Sequence, residues 1–220
     1  ALFVMGAGSN LVVRDKGIRG VVLHLGEGFS TFRIEREEEA QIIVFAETGV
    51  GMPRLCDWAA DQGLTGLEPL AGIPGNLGGV ISMNAGTPEG EIGSKVISVT
   101  FMDKDTRLVT WTRQQARFEY RQSHFPRGAI LLSARLAVQR DEPEAVRKRV
   151  GGFRARRVET QPLNVPNVGS VFKNPEGKFA GALIEEAGLK NVRVGGARIS
   201  PKHSNFIVNE TRQASARDVV

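Results

Sequence analysis

The chain holds one cysteine, Cys56, three histidines and one tyrosine in 220 residues. A single thiol excludes an internal disulfide and any thiolate cluster for zinc, and no metal site is expected. A reducing compartment fits, so a cytoplasmic setting is expected. No run of about 18 apolar residues exists, so no membrane span is expected. The first residues do not read as a basic-then-apolar leader. Aromatic residues are few, 6% of the chain, and none interleave the basic ones as a base-stacking platform requires. The longest basic run is Arg154-Ala155-Arg156-Arg157, so nucleic acid is not expected as a partner. The formal charge of +5 suits an anionic small molecule instead.

What is present is strand-rich. Leu2 to Met5, Gly20 to Leu25, Phe29 to Glu35 and Gln41 to Glu47 read as strands between Gly or charged turns. Arg54 to Gln62 reads as a helix with Leu55, Trp58 and Ala59 on one face, stopped by Gly63. Residues 66 to 93 are dense in glycine and read as an ordered loop with short helical pieces. Val96 to Asp103 and Arg107 to Thr112 form a hairpin about Lys104-Asp105, and Ile130 to Val138 is a further strand. Glu142 to Arg157 is a charged helix with Pro143 in its first turn, where a missing N–H does no harm. Two prolines in five residues, Pro162 and Pro166, mark a domain edge. Phe179 to Ala187 is a helix closed by Gly188, and Ser204 to Asn209 is a strand. No repeat or low-complexity tract interrupts this order. The expected class is α+β rather than a doubly wound parallel sheet. The first residues read as a strand without a lead-in and the last as the first turn of a helix, as in a piece of a longer protein.

Two glycine segments carry chemistry. Gly6-Ala7-Gly8-Ser9-Asn10 follows a strand, but Leu11 stands where a dinucleotide fingerprint needs glycine, and no helix follows. The residues suit either a tight turn or a phosphate loop in which backbone N–H groups approach an anion and Ser9 and Asn10 add donors. The second segment, Gly72-Ile73-Pro74-Gly75-Asn76-Leu77-Gly78-Gly79 on to Met83-Asn84-Ala85-Gly86, alternates glycine with apolar residues, unlike a flexible linker. Ile73, Leu77, Val80 and Ile81 are expected inside, with bare backbone turned to a flat ligand.

Two further segments hold donors. Tyr120-Arg121-Gln122-Ser123 precedes a strand; a lone arginine is most often a solvated surface charge. Gly169-Ser170-Val171-Phe172-Lys173-Asn174-Pro175 suits a turn, a phosphate site or a nucleophile, although Phe172 breaks the Gly-x-Ser-x-Gly elbow.

Taken in order, these segments resemble the UDP-N-acetylenolpyruvoylglucosamine reductase family. The resemblance rests on Gly6 to Asn10, on Glu68-Pro69-Leu70-Ala71-Gly72-Ile73-Pro74-Gly75, on Met83 to Gly86, on Tyr-Arg-x-Ser and on Gly-Ser-x-Phe-Lys-Asn-Pro. It continues through Gly181 to Lys190 and Lys202-His203-Ser204-Asn205-Phe206. It implies a flavin-binding fold shared with vanillyl-alcohol oxidase-type flavoproteins and a separate small α+β substrate domain. The implied boundaries are 1–20 for the remainder of an N-terminal FAD lobe, 21–158 for a second FAD lobe and 159–220 for the substrate domain. It implies FAD held by Gly6, Ala7, Gly8, Ser9 and Asn10 and by Gly72, Ile73, Pro74, Gly75, Gly78 and Gly79, with Asn84, Ala85 and Gly86 bordering the ring. NADPH is the implied reductant, and the enolpyruvyl ether of UDP-N-acetylglucosamine the implied substrate.

By the same resemblance Arg121 holds the substrate carboxylate and Ser170 delivers a proton as general acid. Tyr120, Gly169, Lys173, Asn174 and His203 are implied substrate contacts, and a monomer is expected. The sequence departs from the family pattern in three places. It stops before the segment where the family has a catalytic Glu, and Glu185 and Glu186 match another motif. It resembles the shorter subtype, without the inserted loop that bears a substrate-binding Tyr in some relatives. Asn167-Val168 replaces the more usual Ser-Ala before Gly169. With most of the N-terminal lobe also absent, the sequence as it stands is expected to be inactive. Two other functions remain: a same-fold flavoenzyme that oxidises an alcohol or sugar, and a non-catalytic flavin- or nucleotide-binding module. Residues 6 to 10 and 72 to 86 contain no His or Cys for covalent flavin attachment, which counts against the first.

Overall fold

Ile42-Ile43-Val44-Phe45-Ala46 has no polar residue with which to face water, and it becomes an inner strand. A computed structural model describes residues 1–220 and divides them into two units. One comprises Leu2–Gly8 and Val22–Arg154, the other Ala1, Ser9–Val21 and Ala155–Val220. In chain order the elements begin with β1 (Leu2–Met5), β2 (Val21–His24), β3 (Phe32–Glu37), β4 (Ile42–Glu47), α1 (Met52–Asp61) and β5 (Leu64–Thr65). The glycine-rich stretch supplies α2 (Leu77–Ser82), β6 (Gly86–Thr87) and β7 (Gly90–Glu91). Then come β8 (Val96–Met102), β9 (Leu108–Thr112), α3 (Arg113–Ala116), β10 (Ile130–Arg140) and α4 (Pro143–Thr160). The last group is β11 (Asn167–Ser170), α5 (Ala180–Glu186), β12 (Arg193–Val194), β13 (Ala197–Ile199), β14 (Phe206–Val208) and α6 (Ala216–Val219).

The larger unit is built on a sheet of order β3-β4-β10-β8-β9, with β5 paired to the end of β10. All its pairs are antiparallel, so the expected α+β class holds. Helix α1 lays Met52, Leu55, Cys56, Ala59 and Ala60 into the core, the spacing of one helical face. Truncating Leu55, fully buried there, costs about 2–5 kcal/mol. Burial also pushes the Cys56 thiol well above its ordinary pKa, so it is an inert core group. Gly63 ends the helix in the left-handed region (φ 64), where a Cβ would stand 2.6 Å from the Asp141 carbonyl. No helix is long and apolar enough to cross a membrane.

The sequence reading placed several ends differently. The strand expected from Phe29 starts at Phe32, because Glu27–Phe29 form a 3-10 turn whose carbonyl at Glu27 accepts from Ser30 Oγ. The strand expected to end at Val138 runs to Arg140, because Gln139 and Arg140 pair with β5. The charged helix continues past Arg157 to Thr160 and halts before Pro162.

The smaller unit holds a second antiparallel sheet, β11-β14-β13-β12. Within it Asp15 Oδ1 accepts from the Ala216 amide at 3.0 Å, so residues 9–21 cap α6.

The Glu68 carboxylate is nearly inaccessible, yet it is charged. Burial alone would raise its pKa, but bonds from Thr65 Oγ1 (2.7 Å), the Gly66 amide and Arg149 Nε (2.9 Å) outweigh burial and hold it below the usual value. Arg149, on α4, thereby clamps the Glu68–Gly72 segment to the core. Replacing Arg149 by Ala is expected to lower stability at pH 7, because it removes the cation that faces the Glu68 carboxylate. A depressed pKa contributes stability above the unfolded value of about 4.3, lost as pH falls through the folded value. The gap between wild type and R149A in urea unfolding should therefore narrow below about pH 4.

Candidate active site

The two glycine segments predicted from sequence meet in the larger unit, as far as Gly8. A Cβ on Gly6 would lie 3.1 Å from Asn76 Cβ, so the first loop packs directly on the second. Asn76 Nδ2 donates to the Leu25 carbonyl at 2.8 Å, and the Leu25 amide donates to Met5 O. Gly49 allows two main chains to touch: a Cβ there would overlap the Gly26 carbonyl. Met52 N donates to Gly75 O and Leu77 N to Val50 O, so Gly51 and Asn76 are the non-hydrogen-bonded pair of a bridge. Their amides are thus left out of that pairing. A Cβ on Gly51 or Gly79 would meet nothing within 4 Å. Leu77, Val80 and Ile81 are buried behind this surface, Ile73 is half-buried, and Gly79 is exposed. Bare backbone therefore faces outward over an apolar floor, which fits recognition of a diphosphate by main-chain N–H groups. Gly72, Pro74 and Gly75 border the same segment, with Gly75 at φ 119. Ala7 is exposed next to Gly8, at φ 71. Ser9 and Asn10 belong to the other unit, where both are exposed.

Arg121 stands at a strained point. Glu119 and Gln122 exchange main-chain bonds of 2.9 and 3.1 Å, closing a turn with Tyr120 and Arg121 at its tip. Arg121 has φ 56, a position that usually takes Gly or Asn. For arginine this costs about 1–3 kcal/mol. Its Nη2 donates to Gly86 O at 2.7 Å, and the guanidinium lies 4.9 Å over the Tyr120 ring. No carboxylate of the protein pairs with it. Gly86 admits no side chain, since a Cβ would lie 2.5 Å from Glu91 Cα. Asn84 is fully buried; its amide group bonds Glu119 O and the Gly93 amide, so only its main chain could face a ligand. Ala85 packs half-buried against the core.

Ser170 ends β11, opposite Phe206, after an irregularity at Gly169 (φ 71). Its side chain is exposed and makes no hydrogen bond within its own unit. Asn205 holds the two residues beyond it in place. Its Oδ1 accepts from the Phe172 amide (2.9 Å), its Nδ2 donates to Phe172 O (2.8 Å), and its carbonyl accepts from Val171 N. Asn174 Oδ1 accepts from the Ala180 amide at the start of α5, and Lys173 is exposed beside it. His203 Nδ1 accepts from the Asn205 amide at 3.2 Å. Burial lowers the His203 pKa, against a ring bond to its own main-chain carbonyl and the nearby Glu185 carboxylate, both of which favour the charged form. The smaller unit thus gathers Ser170, Lys173, Asn174 and His203, and the larger gathers the glycine segments, Tyr120 and Arg121.

Two family models match the chain. A family model for an FAD binding domain matches residues 1–112, and one for the C-terminal domain of UDP-N-acetylenolpyruvoylglucosamine reductase matches residues 161–220. The reductase of Agathobacter rectalis is 43% identical over 99% of this chain and 71% of its own length. That of Moorella thermoacetica is 42% identical over 100% and 70%. The chain belongs to the UDP-N-acetylenolpyruvoylglucosamine reductase family. The crystal structure of the Thermus caldophilus reductase superposes with a TM-score of 0.88, at 38% identity, covering 99% of this chain and 77% of that one. The fold expected from the resemblance, an α+β flavin-binding fold, is therefore the observed one.

The sequence reading of this reductase-family chain passed over Asn76, Asn205, and the Gly26 and Gly49 contact. Paired glycines at 26 and 28 and at 49 and 51 were the available signal. The two asparagines announce nothing until their partners are seen. Asn205→Ala is expected to cost about 2–3 kcal/mol in urea unfolding, since it leaves the two main-chain groups of Phe172 without partners. Amide exchange at Phe172 should quicken while the β12–β13 pair is unchanged. Equal exchange at Phe172 in both proteins would remove Asn205 from this role.

Proposed function

We propose that the protein, in its full-length form, catalyses the reaction for which its relatives are named, reduction of UDP-N-acetylenolpyruvoylglucosamine to UDP-N-acetylmuramate. The single observation that carries the reading is Arg121. It is a half-buried arginine in a left-handed conformation, bonded to a neutral carbonyl and paired with no carboxylate. Strain of this kind is retained where the side chain has a task, and an uncompensated guanidinium is suited to an anionic ligand. On this reading Arg121 holds the substrate carboxylate and draws off the negative charge that develops beside it.

Bound FAD supplies hydride chemistry, with NADPH as the source of reducing equivalents. The diphosphate of that cofactor fits the bare backbone about Gly6, Gly75, Asn76 and Gly79. The double bond of the enolpyruvyl group gains a hydride on its methylene carbon and a proton on the carbon bearing the carboxylate. Ser170 Oγ gives that proton and recovers one from solvent. A serine hydroxyl is a weak acid, but a carbanion-like carbon is basic enough to take its proton. Lys173, Asn174, Tyr120 and His203 are assigned to substrate, Asn174 while it also caps α5. A peptidoglycan precursor of this kind is made in the cytoplasm, the setting this reading implies.

In its full-length form the protein should be yellow, bleach with NADPH, and recover its flavin absorbance on addition of the enolpyruvyl nucleotide sugar. Ser170→Ala should leave reduction by NADPH intact while sugar turnover falls about 10²–10⁴-fold. Arg121→Ala should lower kcat/KM for the sugar by about 10²–10³-fold. A folded protein without flavin affinity, or full turnover in the Ser170 variant, would overturn the reading.

A further inference from the structure

Three hydrogen bonds at alternate residues sew the end of the glycine-rich segment to the arginine turn. Ser123 Oγ donates to Ser82 O at 2.8 Å, Asn84 Nδ2 to Glu119 O at 2.8 Å, and Arg121 Nη2 to Gly86 O at 2.7 Å. The middle bond differs from its neighbours. Asn84 has no accessible surface and sits in the left-handed region (φ 41). Its acceptor, the Glu119 carbonyl, is also the acceptor of the bond that closes the turn, from Gln122 N. Both lone pairs of that carbonyl are therefore fixed, one by the turn and one by Asn84. The other end of the amide is fixed equally firmly. Asn84 Oδ1 accepts from Gly93 N at 2.9 Å, and a Cβ on Gly93 would lie 2.6 Å from that oxygen and 2.6 Å from Phe118 Cγ.

We propose that Asn84 is a positioning residue for Arg121, setting the turn so that the guanidinium is held in its strained, substrate-ready orientation. The proposal rests on the reading that Arg121 binds the substrate carboxylate. No other side chain meets these demands together. Asparagine tolerates positive φ better than other residues with a side chain. It carries a donor and an acceptor on one short planar group, matched to a carbonyl on one side and an amide on the other. Aspartate keeps the acceptor for Gly93 but turns an oxygen toward the Glu119 carbonyl. Glycine suits the backbone but makes neither bond.

The test is a double-mutant cycle with Asn84→Gly, Arg121→Ala and the pair, reading flavin content, reduction by NADPH, and kcat and KM for the enolpyruvyl nucleotide sugar. Asn84→Gly keeps the main chain of residue 84 and removes only its buried side chain, so kcat and KM for the sugar are read on the flavin-loaded fraction. Its kcat/KM for the sugar should fall about ten- to a hundred-fold, as for a misplaced binding group, mainly through KM. In the Arg121→Ala background the same change should cost nothing further. Additive losses, or loss of flavin together with activity, would assign Asn84 to the fold alone and overturn the proposal. So would failure of both Asn84→Gly and Asn84→Asp to fold; if only the glycine variant fails, the aspartate variant, which retains the Gly93 bond, is read in its place. Should Arg121→Ala itself leave sugar turnover unchanged, the reading of Arg121 fails first, and that outcome is distinct from an additive cycle.

Discussion

The glycine-rich surface depends on close approaches that only glycine permits. Gly49 lies against the Gly26 carbonyl, Gly78 against Thr48, and Gly6 against Asn76. Each contact joins a different segment: the loop after β1, the loop after β2, the end of β4 and the start of α2. A methyl group at Gly49 would force two of them apart, and the segments would no longer share one surface. The apolar residues between the glycines resist such separation from below. Leu77 and Ile81 have no accessible surface, so any shift of the backbone above them also disturbs the packed core.

These segments share one bridge and a few main-chain bonds rather than full ladders, so others of their polar groups need side-chain partners. Asparagine supplies them. Asn76 bonds Leu25 O; Asn84 bonds Glu119 O and Gly93 N; Asn167 bonds the carbonyls of Pro162 and Val165; Asn205 bonds both main-chain groups of Phe172. In each case one side-chain amide stands in for a strand neighbour, satisfying groups whose burial would otherwise cost about 1–3 kcal/mol apiece. Both residues assigned to the reaction lie next to such a clamp: Arg121 beside the one at Glu119, Ser170 just before the one at Phe172. The irregular loops thus have fixed hydrogen-bond partners, which matters because a reacting group must be held within a fraction of an ångström.

The pattern of the regular elements was legible because it is local. The hairpin about Lys104-Asp105 arises from its alternation and from Asp103, whose carboxylate accepts from the amides of Asp105 and Arg107. Helix α1 arises from one apolar face and Gly63. Ends were misjudged where a partner far along the chain extends an element, as β5 extends β10, or where a side chain captures the backbone, as at Ser30. The burial of Leu77, Val80 and Ile81 was legible because glycine alternates there with apolar residues. The placement of Ser9–Val21 with residues 155–220 turns on contacts such as Asp15 with Ala216, which no local pattern announces.

The surplus of positive charge looks different once its arginines are placed. Arg135 pairs with Glu35, Arg149 with Glu68 and Asp141, Arg154 with Asp57, and Arg198 with Glu210. The basic run that ends α4 is thus no open face: Arg154 also bonds Ala71 O and Pro53 O, and Arg157 Nε donates to Gln161. Net charge says little about what binds where, because a paired arginine contributes almost no field at a distance. What distinguishes Arg121 is the combination of partial burial, a strained backbone and a neutral acceptor. Each of these is unfavourable for an arginine whose task is only to keep the surface wet, and an arriving carboxylate removes the electrostatic part of that cost. The free protein is then the less satisfied state at this position, and on the proposed reading a substrate carboxylate completes it.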